Sequence, residues 1–195
     1  MAKIKILIEG YAKELKKGWL ASSTCCFIKS GNKNIITDPG CNRKKLLAAL
    51  KKEHLKPTNI DYVFLSHCHI DHVLLASLFT NAKFVTFDTN LLYDQDLMLE
   101  FDKHVLGKDI EILETPGHVL EHFSLLVNTS QGKIALAGDV IWWTEGEKQI
   151  MDVKKEDDSH PKELNMKKLI ASRKKLLKIA DYIIPGHGKM FKVEK

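Results

Sequence analysis

Short apolar runs separated by polar turns dominate this chain, and they predict more strands than helices. Several runs alternate apolar and polar residues, which is typical of strands with one buried face. The predicted strands cover residues 3–9, 24–29, 34–37, 62–66, 83–87, 110–114, 122–128, 133–137 and 181–184. Apolar residues at helical spacing predict helices over about 44–54, 72–79 and 162–179.

The order of these elements predicts two sheets packed face to face. Each half of the chain is a set of strands closed by a helix, although no sequence repeat is visible. Short glycine-containing turns at 30–32 and 130–132 are typical of hairpins, so the sheets should be antiparallel or mixed. The chain has 195 residues, 44% hydrophobic and 28% charged, which is typical of a soluble globular protein with one domain, 1–195. We therefore expect an α+β fold with helices outside the two sheets.

The densest chemistry lies in residues 66–72, which read Ser-His-Cys-His-Ile-Asp-His and follow an apolar run. His67 and His69 are two positions apart, so on the extended end of a strand both side chains point to the same side. Asp71 and His72 would lie in the tight turn that follows. Imidazole and carboxylate groups are ligands that zinc and iron accept. This segment is therefore predicted to offer ligands to two neighbouring metal ions.

Three later segments share one character, a metal-competent residue in a glycine-containing turn at the end of an apolar strand. They carry His118, Asp139 and His187. Glycine lets the backbone approach closely, and strand ends are where a scaffold presents side chains into a cleft. Each turn alone is more typical of an ordinary loop. Their repetition predicts one site with five histidines and two aspartates.

The cysteines are expected to be reduced thiols. Cys25 and Cys26 are adjacent, where a mutual disulfide would be strained, and the chain has no C-x-x-C spacing. Strand alternation points Cys68 away from the neighbouring histidine ligands, which favours a packing role over metal binding.

Taken in order, the motifs resemble those of the metallo-β-lactamase-fold superfamily over nearly the whole chain. They are His67-Cys68-His69-Ile70-Asp71-His72, Thr115-Pro116-Gly117-His118, Gly138-Asp139 and Pro185-Gly186-His187-Gly188. Within the superfamily, the chain is similar to the group called metallo-β-lactamase domain-containing protein 1. Shorter stretches carry that similarity: 9–12, 37–40, 78–79, and a helix over 173–175 that runs into 180–181.

The resemblance implies a four-layer αββα sandwich of two mixed sheets, with a two-metal site at one edge. The ligands that it implies are His67, His69 and His118 for the first metal, Asp71, His72 and His187 for the second, and Asp139 between them. Asp38 would orient ligands from outside, or it could simply cap the turn that follows it. Asp139 argues against an antibiotic-hydrolysing β-lactamase, because branches of that kind generally lack an aspartate there.

The function implied is a dinuclear metal-dependent hydrolase, in which a metal-bridging hydroxide cleaves an ester, thioester or phosphodiester bond. Zinc is the expected metal, with iron or manganese as alternatives. Asp71 would be the catalytic residue that orients the water or moves its proton. Two other enzymatic functions stay open: an endoribonuclease or phosphodiesterase acting on RNA, and an iron-dependent sulfur dioxygenase. A non-catalytic metal-binding protein is a further alternative, which an open bridging position disfavours.

The net charge of +5 permits an anionic substrate without requiring one. The lysine-rich stretch 162–178, which includes Arg173, favours a solvated helix face over a phosphate-binding patch. No apolar run approaches the length of a membrane span, and the N-terminus shows no secretory signal, so we expect a cytoplasmic protein. The expected partner is a small molecule or RNA and not a membrane, and a homodimer stays open.

Aromatic residues in loops near the motifs are candidates for a substrate wall, with the protein core as an equally weighted alternative. They are Tyr11, Trp19, Trp142 and Trp143. The remaining histidines match no motif and are interpreted as surface or structural residues. They are His54, His104, His122 and His160, of which His122 is expected nearest to the site because it closely follows His118.

Overall fold

The computed structural model describes residues 1–86, 91–102, 104–157 and 164–194. Its strands are β1 (Lys3–Ile8), β2 (Tyr11–Glu14), β3 (Trp19–Ser22), β4 (Cys25–Ser30), β5 (Lys33–Thr37), β6 (Tyr62–Phe64), β7 (Lys83–Val85), β8 (Leu91–Asp94), β9 (Leu97–Glu100), β10 (Ile110–Glu114), β11 (Phe123–Thr129), β12 (Gly132–Gly138), β13 (Tyr182–Pro185) and β14 (Phe191–Lys192). The helices are α1 (Arg43–Lys52), α2 (Ile70–Val73) and α3 (Met166–Ile179), with short 3-10 turns at Pro57–Asn59 and Ala76–Leu78.

The strands form two large mixed sheets and one separate hairpin. The first sheet has seven strands in the order β1-β4-β5-β6-β7-β8-β9, and the second has five in the order β10-β11-β12-β13-β14. β2 and β3 pair with each other in a two-stranded sheet. The runs β5-β6-β7 and β12-β13 are parallel, and the other neighbours are antiparallel. Because parallel neighbours end at the same edge of a sheet, the segments after β5 and β6 emerge side by side, as do those after β12 and β13.

Alternating side chains give each sheet two apolar faces. In β11, Leu125 and Val127 pack between the sheets, whereas Leu126 packs on the side of α3. In β4, Cys26 packs between the sheets, whereas Cys25 packs on the side of α1. A sheet that is apolar on both faces needs a helical layer over its outer face. The predicted α+β fold, an αββα sandwich of two mixed sheets, is confirmed.

The outer helices α1 and α3 each begin at an asparagine cap. The side chain of Asn42 accepts a hydrogen bond from the backbone of Lys45, and Asn165 does the same for Lys168. In α3 the lysines face solvent, as predicted, but Arg173 is buried and belongs to neither a solvated face nor a phosphate-binding patch. Among the described residues, no helix is both long enough and apolar enough to cross a membrane.

The predicted helix over 72–79 is wrong, because the structure has only the single turn of α2 followed by a 3-10 turn. The backbone N–H of Gly40 donates to the carbonyl of His72, and the N–H of Leu75 donates to the carbonyl of Gly40. These bonds to another segment replace those that a continuing helix would make. They hold the chain against the turn that follows β5.

The apolar pattern also does not predict the hairpins β2-β3 and β8-β9. Every residue of β9 is exposed, and β2 and β3 bury only Ala12 and Ser22. Strands with so little burial carry almost no alternating signal. Residue 87 of the predicted strand 83–87 and residues 162–163 of the predicted helix 162–179 lie outside the described residues.

Candidate metal centre

One edge of the sandwich brings together all the residues that the sequence predicts as ligands. β6 leads into the segment 66–72, β10 into the turn of His118, β12 into Asp139 and β13 into the turn of His187. These candidate ligands form two groups, one of His67, His69, His118 and Asp139, and one of Asp71, His72 and His187. The seven-stranded sheet supplies the segment 66–72, and the five-stranded sheet supplies the rest.

The first group offers four ligand atoms within 4.8 Å of one another. Nδ1 of His69 lies 3.1 Å from Nε2 of His118. Oδ2 of Asp139 lies 3.5 Å from Nε2 of His118 and 3.8 Å from Nε2 of His67. Three imidazole nitrogens and one carboxylate oxygen therefore converge on one point.

The second group offers three ligand atoms within the same distance, and Asp139 of the first group faces it. Nε2 of His187 lies 3.3 Å from Oδ2 of Asp71. Oδ1 of Asp139 lies 3.2 Å from Nε2 of His72 and 3.5 Å from Nε2 of His187. The two oxygens of Asp139 thus face different groups.

Glycine at two turns lets the groups meet. A Cβ added to Gly186 would collide with Oδ1 of Asp139. The N–H of Gly186 donates to the carbonyl of Gly138 at 2.9 Å, and Gly138 has a φ of +55°, a conformation that favours glycine. Both glycines therefore allow the turns of Asp139 and His187 to touch.

Asp38 fixes the ring of His67 through Ser66. Oδ1 of Asp38 accepts the backbone N–H of Ser66 at 2.8 Å, and Oδ2 accepts its hydroxyl at 2.7 Å. Because that hydroxyl proton goes to Asp38, Ser66 Oγ accepts a proton from Nδ1 of His67 at 2.9 Å, which leaves Nε2 of His67 unprotonated. Oδ2 of Asp38 also lies 3.2 Å from Nδ1 of His72. Of its two predicted roles, these contacts support the orientation of ligands.

The donor set fits divalent metal ions. Nε2 of His67 is buried and has no hydrogen-bond partner, which costs about 1–3 kcal/mol unless a cation binds there. Burial, and next the charge of His72, hold the pKa of His67 well below its usual value, so its nitrogen keeps the lone pair. Five imidazoles and two carboxylates are a set that zinc or iron accepts. The assignment of individual ligands stays a prediction.

Protons on the histidines of the cluster balance the negative charge of its carboxylates when no cation is bound. Burial lowers the pKa of His72, but the carboxylates of Asp139 and Asp38 outweigh it and hold that pKa well above its usual value. Burial also opposes the charge of His187, yet Asp139 raises its pKa to about 9. The pKa of Asp139 lies well below its usual value, because His72 and His187 outweigh the effect of burial. A bound cation would displace the protons of both imidazoles.

His122 is a part of the site that no motif indicates. Its Nε2 accepts the backbone N–H of Asp139 at 3.2 Å, so its Nδ1 carries the proton and donates to the hydroxyl of Thr115 at 2.9 Å. The hydroxyl of Thr115 then donates to Ser124, which donates to the carbonyl of Ala137. Burial lowers the pKa of His122 to about 3, so the ring is neutral. This chain of bonds holds the backbone of Asp139.

Asp157 is a second part of the site that the sequence does not indicate. Its Oδ2 lies 2.6 Å from Nδ1 of His118, and its side chain is buried. Arg173 of α3 donates to the carbonyls of Val153 and Lys155, which fixes the segment that carries Asp157. The surrounding sequence is rich in charge and is typical of an exposed loop, so it gives no signal of a buried aspartate.

Asp157→Ala is expected to weaken metal binding in the first group about 10–100-fold, because His118 loses the carboxylate that orients its ring. The measurement is competition with a chromophoric chelator, and the readout is the number of bound ions whose Kd rises. Asp152→Ala is the matched control, since Asp152 lies in the same loop and is exposed. Equal affinity for wild type and Asp157→Ala would contradict this role for Asp157.

The cluster opens into a cleft with a volume of about 450 Å³. Trp19 and Trp142 line this cleft, and the ring of Trp142 lies 6.1 Å from that of His187. Tyr11 and Trp143 line a neighbouring pocket instead. Trp143 also packs in the core beside α3. Of the aromatic candidates, Trp19 and Trp142 therefore form the wall of the cleft.

The cysteines are free thiols, as predicted. Cys25 and Cys26 are buried, but Cys68 is exposed, so the prediction that it packs is wrong. Strand alternation does point Cys68 away from the ligands, but that side of the segment faces solvent. His54 and His104 are exposed, and residue 160 lies outside the described residues.

Known proteins are similar to this chain in sequence and in fold. The model of the metallo-β-lactamase superfamily matches residues 18–91. Metallo-β-lactamase domain-containing protein 1 from Xenopus laevis is 30% identical over 203 residues, which cover 98% of this chain and 82% of that protein. An uncharacterized protein from Caenorhabditis elegans is 27% identical over 89% of this chain, which spans about half (49%) of that protein. The crystal structure of a candidate metallo-β-lactamase from Thermotoga maritima matches with a TM-score of 0.67 and 19% identity over 98% of this chain and 99% of that chain. The chain belongs to the metallo-β-lactamase superfamily.

Proposed function

We propose that the chain is a hydrolase that holds two divalent metal ions and uses water to cleave an ester, thioester or phosphodiester bond. One observation carries the proposal, which is that the two oxygens of Asp139 face different ligand groups. Oδ2 lies 3.5 Å from Nε2 of His118, and Oδ1 lies 3.2 Å from Nε2 of His72. A carboxylate in this position suits two neighbouring cations, as in two-metal hydrolases.

The proposal gives each ligand group one ion. His67, His69 and His118 would hold the first, Asp71, His72 and His187 the second, and Asp139 would contact both. When bound, two such ions supply a water of lowered pKa and polarise the carbonyl or phosphoryl oxygen of the substrate. The contacts of Asp38 and Asp157 with the far nitrogens of the histidines keep the rings oriented.

Asp71 is the proposed catalytic residue. It lines the cleft, and its side chain keeps 21% of its surface exposed, against 6% for Asp139. Burial works against its charge, but a hydrogen bond from His187 lowers its pKa, so Asp71 is ionised at neutral pH. Asp71 can take a proton from the attacking water and pass it to the leaving oxygen or sulfur. The oxygen of the water joins the carbon or phosphorus as the bond to the leaving atom breaks.

Metal analysis combined with a substrate panel tests the proposal. The panel holds a thioester, a lactone and bis(p-nitrophenyl) phosphate, each assayed before and after chelation. We expect about two ions per chain, zinc first, and metal-dependent turnover of at least one substrate. One iron per chain with consumption of oxygen on a persulfide would instead support the sulfur dioxygenase. Fully loaded protein that hydrolyses no substrate of the panel would contradict the proposal.

A further inference from the structure

The cleft beside the candidate metal centre has apolar walls. Five of its lining residues belong to the centre, and the others are Ala12, Trp19, Ala21, Cys41, Ile70, Leu74 and Trp142. The thiol of Cys41 donates to the carbonyl of Ala21 at 3.0 Å, so it is already paired. Among the described residues that line the cleft, none is a lysine or an arginine, although the chain has 30 of them.

Three of the large apolar wall residues are exposed to water, whereas Trp142 is buried. Trp19 is 51% exposed, Ile70 64% and Leu74 52%. Single exposed apolar residues are common on protein surfaces, but a group of them around one cavity marks a binding site. Ile70 and Leu74 lie one turn apart in and just after α2, next to the ligand Asp71. The exposed apolar surface is therefore continuous with the candidate reaction centre.

Three lysines close to the wall of the cleft have acidic or aromatic partners. Lys13 pairs with Glu145 at 3.7 Å, and Lys155 pairs with Glu147 at 2.7 Å. Lys45 lies over the ring of Tyr11, 4.1 Å from its centroid. A nucleic acid needs basic groups for the phosphates on both sides of the bond that is cut. Within the described part of the chain, no lysine or arginine lines the cleft to supply them.

We infer that the cleft takes a neutral ester or thioester with an apolar acyl group, and that Trp19 and Leu74 select for that group. The inference rests on the proposed function and names the substrate class for the same site. A volume of about 450 Å³ is within the range of sites for small molecules. The acyl carbon gains the oxygen of water, its bond to the leaving oxygen or sulfur breaks, and the products are a carboxylic acid and an alcohol or thiol.

A chain-length series on the metal-loaded protein tests the inference. The substrates are thioesters with acyl groups from acetyl to octanoyl, beside bis(p-nitrophenyl) phosphate and a single-stranded RNA. We expect kcat/KM to rise about two- to fourfold with each added methylene until the cleft is filled. Turnover of the phosphodiesters should be at least about a hundredfold lower than that of the octanoyl thioester, since the described lining offers no basic group to either phosphate.

Variants of the wall residues distinguish an effect on the choice of acyl group from an effect on the hydrolysis itself. Trp19→Ala and Leu74→Ala should each lose about tenfold in kcat/KM on the octanoyl thioester and less than about twofold on the acetyl thioester. Met98→Ala is the matched control, because Met98 is an exposed apolar residue of β9 that does not line the cleft. The control should follow the wild-type series at every chain length.

The outcomes distinguish this inference from the proposed function. A flat series, or turnover of RNA or the phosphodiester above that of the thioesters, would overturn the inference and leave the metal-dependent hydrolase standing. Absence of turnover on every substrate would overturn the proposed function. In that case, the affinity of the cleft for octanoate and for acetate would be measured by the quenching of tryptophan fluorescence. Octanoate that binds no more tightly than acetate would overturn the inference about the apolar wall as well.

Discussion

Asp139→Ala is expected to reduce the metal content from about two ions per chain to about one and to lower kcat/KM at least about a hundredfold. A residue that only orients a ligand costs about 10–100-fold when it is lost. Asp139 contacts both groups, with Oδ2 3.5 Å from Nε2 of His118 and Oδ1 3.2 Å from Nε2 of His72. Its loss also leaves the buried imidazole of His72 with only one of its two carboxylate partners, Asp38. Metal analysis and kinetics on the substrate that responds best are the measurements.

Two further variants make this result specific. Asp94→Ala removes a carboxylate that pairs with Lys83 on the surface, and it should keep wild-type metal content and turnover. Asp139→Asn keeps the shape of the side chain and removes its charge, so a loss equal to that of alanine assigns the effect to charge. Wild-type turnover in Asp139→Ala would mean that the two-metal assignment is wrong.

Removal of the metal is expected to lower Tm by about 10 °C at neutral pH. A ligand present at about 1,000 times its Kd stabilises a fold by about 4 kcal/mol. A chain of this size shifts by roughly 2–4 °C per kcal/mol. Without the metal, the imidazoles of His72 and His187 stay protonated with their ring centroids 5.5 Å apart, and Nε2 of His67 stays unpaired. The measurement is calorimetry of the chelated and the reloaded protein.

The decrease in Tm that follows removal of the metal should become larger above neutral pH. The pKa of His187 is about 9 in the metal-free fold and about 6.5 in an unfolded chain. The stability that this raised pKa contributes is therefore complete below pH 6.5 and is lost as the pH rises through 9. Metal binding needs a neutral imidazole, so rising pH strengthens it. The difference in Tm between loaded and metal-free protein should widen from about pH 6.5 to about pH 9.

Two histidine variants control for effects of the chelator on the rest of the protein. His104→Ala changes an exposed residue outside the cluster, and it should lose as much Tm on chelation as wild type. His72→Ala removes a predicted ligand and should lose less. A melting curve that does not change after verified removal of the metal would contradict the prediction.

The sequence predicts the fold and the seven clustered residues for the same reason. The fold follows from strands in which apolar and polar residues alternate, and the clustered residues follow from glycine-containing turns at strand ends. Both signals are local in the sequence. His67 and His69 share a side because they are two apart, and Asp139 and His187 follow the parallel strands β12 and β13, which end at the same edge. The neighbours of each ligand in the chain are enough to place it at a strand end.

The residues that the sequence does not predict depend on contacts across the fold. Asp157 meets His118 from 39 positions away, in a segment whose charge is typical of an exposed loop. Arg173 falls among exposed lysines, yet it is buried, because its guanidinium donates to the carbonyl of Val140 and to two carbonyls of that loop. The helix expected over 72–79 fails for a similar reason, since Gly40 takes the backbone bonds that a helix would use. The local periodicity of the sequence gives no signal of these long-range hydrogen bonds.

The distribution of the predicted ligands over both sheets would make metal uptake a probe of assembly. In the first group, His69 comes from the seven-stranded sheet and His118 from the five-stranded sheet, 49 residues later. A cation held by both would close a long loop and restrict the unfolded chain much as a covalent cross-link does. Neither half of the chain can therefore acquire the complete site before the sheets dock. The rate of metal uptake during refolding would time that docking step.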